Sequence, residues 1–68
     1  MKIVGVLREF DPVLGIGVVR CDNLETRVYL ADLAAAGIAE PQVGTRLLYE
    51  VAAHPRLGVT CAQQIEAL

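Results

Sequence analysis

The sequence predicts an all-β fold: a five-stranded antiparallel Greek-key barrel with one short helical turn between strands 3 and 4. Three observations point there. Runs of five to ten residues rich in Val, Ile, Leu and Tyr recur along the chain. Pro, Gly and Asp-Asn separate them at short intervals, as between strands joined by tight turns. The longest connection falls between the third and fourth runs, where a Greek key needs its crossover. At 68 residues there is room for this one domain, residues 1–68, and no second.

Residues 1–10 form the first predicted strand, carried by Ile3, Val4, Val6, Leu7 and Phe10. Asp11-Pro12 ends it, since Pro removes a ladder donor and Asp favours a turn. Residues 14–20 read as a second strand, thinned by Gly15 and Gly17. Asp22-Asn23 suits a hairpin turn, and residues 26–30 read as the third strand. Residues 32–39 hold helix formers after a candidate N-cap, Asp32, and Gly37 and Pro41 stop them within about two turns. Gly37 and Gly44 read as positions needing a positive φ. Residues 46–53 and 57–65 supply strands 4 and 5, joined by the His54-Pro55-Arg56 turn. The expected core is Leu7, Val19, Val28, Leu30, Leu47, Tyr49, Val51, Val59, Cys61 and Ile65. Such a small barrel is of the OB type, with an SH3-like barrel as the main competitor.

Composition narrows the function classes. The chain is 54% hydrophobic but only 4% aromatic, with no Trp. A mean hydropathy of +0.48 is high for so small a domain and points to apolar surface that stays exposed or meets a partner. Six Lys/Arg against eight Asp/Glu give a net charge of −2, which is not the basic footprint of a protein that grips phosphates. No apolar run approaches the ~18 residues of a membrane span and the first residues are no signal peptide, so a cytoplasmic location with no membrane contact is expected. Cys21 and Cys61 have no CxxC spacing or neighbouring His; two buried thiols are favoured over a disulfide or half a metal site.

From Gly5 to Ile65 the chain resembles a bacterial cold-shock domain. Gly5-Val6-Leu7-Arg8-Glu9-Phe10-Asp11 stands where the family has Gly, two aliphatics, Lys, Trp, Phe and Asn. Leu14-Gly15-Ile16-Gly17-Val18-Val19 matches the first ribonucleoprotein motif, Lys-Gly-Phe-Gly-Phe-Ile. Val28-Tyr29-Leu30-Ala31-Asp32-Leu33 matches the second, Val-Phe-Val-His-Phe-Ser. Val43-Gly44-Thr45-Arg46-Leu47-Leu48-Tyr49 and Ala62-Gln63-Gln64-Ile65 follow in family order. The resemblance implies single-stranded RNA or DNA as partner, bound on the second and third strands by aromatic stacking within a basic surround.

Carried over residue by residue, the implied face comprises Arg8, Phe10, Ile16, Val18, Arg20, Arg27, Tyr29 and Ala31. The pattern departs from the family where stacking occurs. Ile16, Val18 and Ala31 replace Phe, Phe and His, Glu9 replaces Trp, Asp32 replaces Phe and Leu14 replaces Lys. Each lost platform is worth about 1–3 kcal/mol, so weakened binding is expected. An alternative is that the same apolar face serves a protein partner or a homodimer.

No catalytic residue, metal or cofactor is expected, and the chain is read as non-enzymatic. Serine is absent, and the eight carboxylates show no assignable acid–base pair. His54, the one histidine, reads as a solvated turn residue. Gly15-Ile16-Gly17 lacks the third Gly, Lys and following helix of a phosphate loop.

Overall fold

Five strands form in the predicted order. They are β1 (Ile3–Asp11), β2 (Ile16–Cys21), β3 (Leu24–Tyr29), β4 (Arg46–Ala53) and β5 (Thr60–Ala67), with helix α1 (Leu30–Ala35) between β3 and β4. The computed structural model describes residues 1–68. All strands pair antiparallel in one sheet of order β3-β2-β1-β4-β5. The edge strands β3 and β5 come into contact without ladder bonds, so the sheet curls but does not close. No helix is long and apolar enough to cross a membrane.

The concave side is filled by Leu7, Val19, Val28, Leu33, Leu47, Tyr49 and Ala62, with Cys61 also fully buried. Complete burial of a Val or Leu side chain stabilises by about 1.5–3 kcal/mol, so this small set dominates the fold's favourable energy. Three expected core members are corrected. Val51 and Val59 are each 38% exposed, because the β4–β5 hairpin runs on beyond the end of the core. Leu30 is only half-buried, whereas Ile65, also half-buried, packs against the core. Leu33 and Ala62 take the interior places instead.

The helix starts earlier than expected and its cap differs. Tyr29, in extended conformation, is the N-cap, and no side chain bonds to the free N–H groups. The Leu30 N–H instead donates to the Gly15 carbonyl at 2.8 Å, which ties the helix start to the β1–β2 loop. Asp32 lies in the first turn rather than at the cap. At the other end Gly37, with φ +87°, takes the left-handed conformation that glycine adopts without a Cβ penalty. Ile38 N–H then donates to Leu33 O at 2.9 Å and Gly37 N–H to Ala34 O at 3.0 Å, the two bonds of a Schellman stop. Gly44 also has the expected positive φ, at +98°.

Two irregularities set which way side chains point. In β1 the register shifts between Leu7 and Glu9, leaving Arg8 as the extra residue of a bulge. After it Phe10 lies opposite Gly17, and the ring packs against the core. In β5 the partners of β4 jump from Glu66 to Gln63 across Tyr49, so Gln64 and Ile65 together stand opposite Tyr49 in a bulge. Gln64 has φ +53° there, a left-handed conformation costly for a residue with a Cβ.

Candidate functional site

The convex face of β1–β3 is organised in cross-strand rows, because partners in an antiparallel pair share a side of the sheet. Asp11, Ile16 and Tyr29 form one row, Glu9, Val18 and Arg27 the next, and Val6, Arg20 and Glu25 the third. Ile16, Val18 and Tyr29 are half-buried and adjacent, and they are the apolar centre of the face. Charge surrounds them evenly. Glu9, Asp11 and Glu25 stand against Arg20, Arg27 and the bulged Arg8, so there is no positive funnel.

Six of the eight expected site residues therefore lie on this face or at its bulge: Arg8, Ile16, Val18, Arg20, Arg27 and Tyr29. Two lie elsewhere. Phe10 is turned to the core side by the Arg8 bulge. Ala31 is an exposed helical residue of α1, since β3 ends at Tyr29 rather than at residue 30.

A residue set aside by sequence reasoning joins the site. His54, from the β4–β5 loop, has a side chain only 13% exposed and is packed edge-on to Tyr29, with ring centroids 5.6 Å apart and an interplanar angle of 75°. The solvated-turn reading of His54 is corrected accordingly. Its Nδ1 accepts the backbone N–H groups of Arg56 and Leu57 at 3.1 and 3.2 Å. That arrangement places the proton of the neutral ring on Nε2, which faces Asp32 Oδ2 at 3.6 Å. The imidazole thus closes its own loop on one side and meets α1 and β3 on the other. No local signal announces this, because Asp32 and Tyr29 are remote in sequence.

Behind this pair lies a polar cluster joining α1 to β5. Gln63 Nε2 donates to Asp32 Oδ2 at 3.3 Å, to the Ala62 carbonyl at 3.0 Å and to Cys61 Sγ at 3.2 Å. Burial pushes the Cys61 thiol above its ordinary range, and the hydrogen bond from Gln63 opposes that shift. Cys21 and Cys61 are both free thiols. No group of three or more His, Cys, Asp or Glu side chains is disposed to hold a metal ion.

The loops flanking the Tyr29 end of the face carry exposed apolar side chains. Val13 and Leu14 are 91% and 70% exposed in the β1–β2 loop, and Leu57 is 57% exposed in the β4–β5 loop. The former loop is held by Asp11, whose Oδ1 accepts from the backbone N–H groups of Val13 and Leu14 at 2.9 and 3.2 Å. Comparison with family models, with curated proteins and with solved structures finds no match to this chain.

Proposed function

We propose that the chain is a small OB-type barrel, similar to cold-shock domains, that binds single-stranded nucleic acid weakly on the convex face of β2 and β3. The observation carrying this is the Tyr29–His54 aromatic pair, set one row from Arg27 at the open end of that face. The topology supports the fold reading. Strand β4 returns through the long connection to lie beside β1, the spatial order of a Greek key. An OB barrel offers this face and the β1–β2 and β4–β5 loops to single strands.

The magnitudes set the scale of binding. Stacking is worth about 1–3 kcal/mol per base, and Tyr29, braced by the largely buried His54, is the one platform, against about 4 kcal/mol for a millimolar complex. Three arginines able to meet phosphates give a salt slope no steeper than about −2. The test is anisotropy of a labelled oligothymidine at low salt. Binding near the millimolar range is expected, weakened by Tyr29→Ala and, through loss of the ring that braces Tyr29, by His54→Ala. A strand that does not bind at millimolar protein, or that binds the Tyr29→Ala variant equally well, refutes the proposal.

A second reading is favoured by the exposed Val13, Leu14 and Leu57 beside the same face. Here the face docks a protein, a second copy included. Sedimentation separates the two: self-association abolished by Val18→Asp supports docking between copies, and a concentration-independent monomer removes it.

A further inference from the structure

A cavity of about 250 Å³ lies between α1 and β5, lined by Asp32, Ala35, Ala36, Gln63, Gln64 and Ile65. It adjoins the candidate face, since Asp32 is the carboxylate that His54 meets. Its walls differ in chemistry. Ala35, Ala36 and Ile65 are apolar and could flank a flat ring, whereas Asp32 and Gln63 form a polar end.

That polar end presents acceptors. Asp32 Oδ2 receives the Gln63 amide and faces His54 Nε2 at 3.6 Å, while Oδ1 accepts from no protein donor. The Gln63 amide orientation is dictated by its three acceptors, Asp32, Cys61 and the Ala62 carbonyl, so its N–H groups are engaged and its Oε1 stays open. An ionised carboxylate accepts only, on two oxygens with about four lone-pair sites, and pairs best with two parallel N–H donors. Among the four bases of RNA, only guanine carries two adjacent donors on its Watson–Crick edge, N1–H and N2–H₂. Adenine and cytosine each offer one donor beside an acceptor, and uracil one donor between two acceptors.

We infer that this cavity receives the Watson–Crick edge of a guanine base, with N1–H and N2–H₂ donating to the Asp32 carboxylate and the ring set between Ala35-Ala36 and Ile65. The inference rests on the nucleic-acid reading of the neighbouring face for its ligand class. A strand crossing Tyr29 and His54 would reach Asp32 next, and the cavity would add base preference to a face that otherwise stacks any base.

The test uses the intact chain and two mononucleotides, guanosine and inosine monophosphate, which differ only in the N2 amine. Titrations are followed by ¹⁵N–¹H spectra. Guanosine monophosphate is expected to move the Gln63 and Gln64 side-chain amides and the Ala35 and Ala36 backbone amides. Inosine monophosphate should need about tenfold more, the discrimination of one good bidentate pair. Asp32→Asn, nearly isosteric, should erase that difference while leaving the rest of the spectrum folded. Equal responses to the two nucleotides, or no response at these amides, overturn the inference. Oligothymidine titrated in parallel reports on Tyr29 and His54 alone. Strand binding without a nucleotide response removes the guanine site and leaves the face reading. Nucleotide binding in the cavity with a silent Tyr29 retains the site and removes the face reading.

Discussion

Gly5→Ala tests the tightest point of the interior. A Cβ built on Gly5 would stand 2.4 Å from the Tyr49 hydroxyl oxygen, 2.8 Å from Tyr49 Cε1 and 2.8 Å from Val19 Cγ1. Tyr49 and Val19 are both fully buried, so neither side chain has free space to retreat into. Overpacking of this sort costs about 1–3 kcal/mol. In a domain of this size each kcal/mol lowers Tm by about 4–8 °C, so a loss on the order of ten degrees is expected. The hydroxyl is also a burden in its own right, since the buried Tyr49 oxygen has no hydrogen-bond partner. Leaving such a group unsatisfied costs about 1–3 kcal/mol, so Tyr49→Phe should be neutral or stabilising. It also removes the nearest clashing atom. The double variant should therefore recover much of the Gly5→Ala loss, with a coupling of about 1 kcal/mol or more in a urea-melt cycle. A Gly5→Ala protein that melts like the parent refutes the packing argument. A Tyr49→Phe change that costs more than about 1 kcal/mol and rescues nothing refutes the account of the hydroxyl.

Other consequences follow from burial. Leu33 is fully buried and is the anchor of α1, so Leu33→Ala should cost about 2–5 kcal/mol by urea melt. Total stability for 68 residues is about 3–10 kcal/mol, so a variant with unchanged midpoint would show that α1 is not anchored there. In thiol labelling of the native protein, half-buried Cys21 should react first and fully buried Cys61 only on unfolding; equal rates would contradict the placement of Cys61. Burial pushes both the Cys61 thiol and the Tyr49 phenol above their ordinary ranges, so the unfolded chain releases these protons first as pH rises. Stability should be whole below about pH 9 and fall above it, with Tyr49→Phe removing the part that develops above about pH 10. A urea midpoint flat across that range would count against both shifts.

The strand sequence was legible because hydrophobic runs and turn residues agree with each other. β4 occupies the predicted residues 46–53, and Asp22-Asn23 turns β2 into β3 through a left-handed Asp22, φ +54°. Side-chain direction was less legible where the ladder is irregular. Simple alternation from the buried Leu7 puts Phe10 on the outer face; the extra residue at Arg8 reverses it. A bulge leaves no mark in periodicity. Ala31 was misplaced for a related reason: Tyr29 ends β3, and the Leu30 N–H is taken by the Gly15 carbonyl from another loop. Val51 shares a face with Leu47 and Tyr49, yet alternation says nothing about where along a strand the core stops. The site was half legible. Ile16, Val18, Arg27 and Tyr29 follow from strand pairing, whereas His54 reaches Tyr29 and Asp32 only through the curl of the sheet.

The central position of β1 has a consequence for how the protein is made. This strand pairs on one side with β2, its neighbour in sequence, and on the other with β4. During synthesis residues of β1, β2 and β3 leave the ribosome before those of β4. The far edge of β1 then stays open until residues 46–53 emerge, with Ile3 to Val6 still lacking their β4 partners. The Leu7 backbone is met by the same late segment: its N–H donates to Thr45 O and its carbonyl accepts from Gly44 N–H, each at 2.8 Å. Until β4 is in place the middle of the finished sheet is therefore a bare edge, of the kind that invites pairing with another chain.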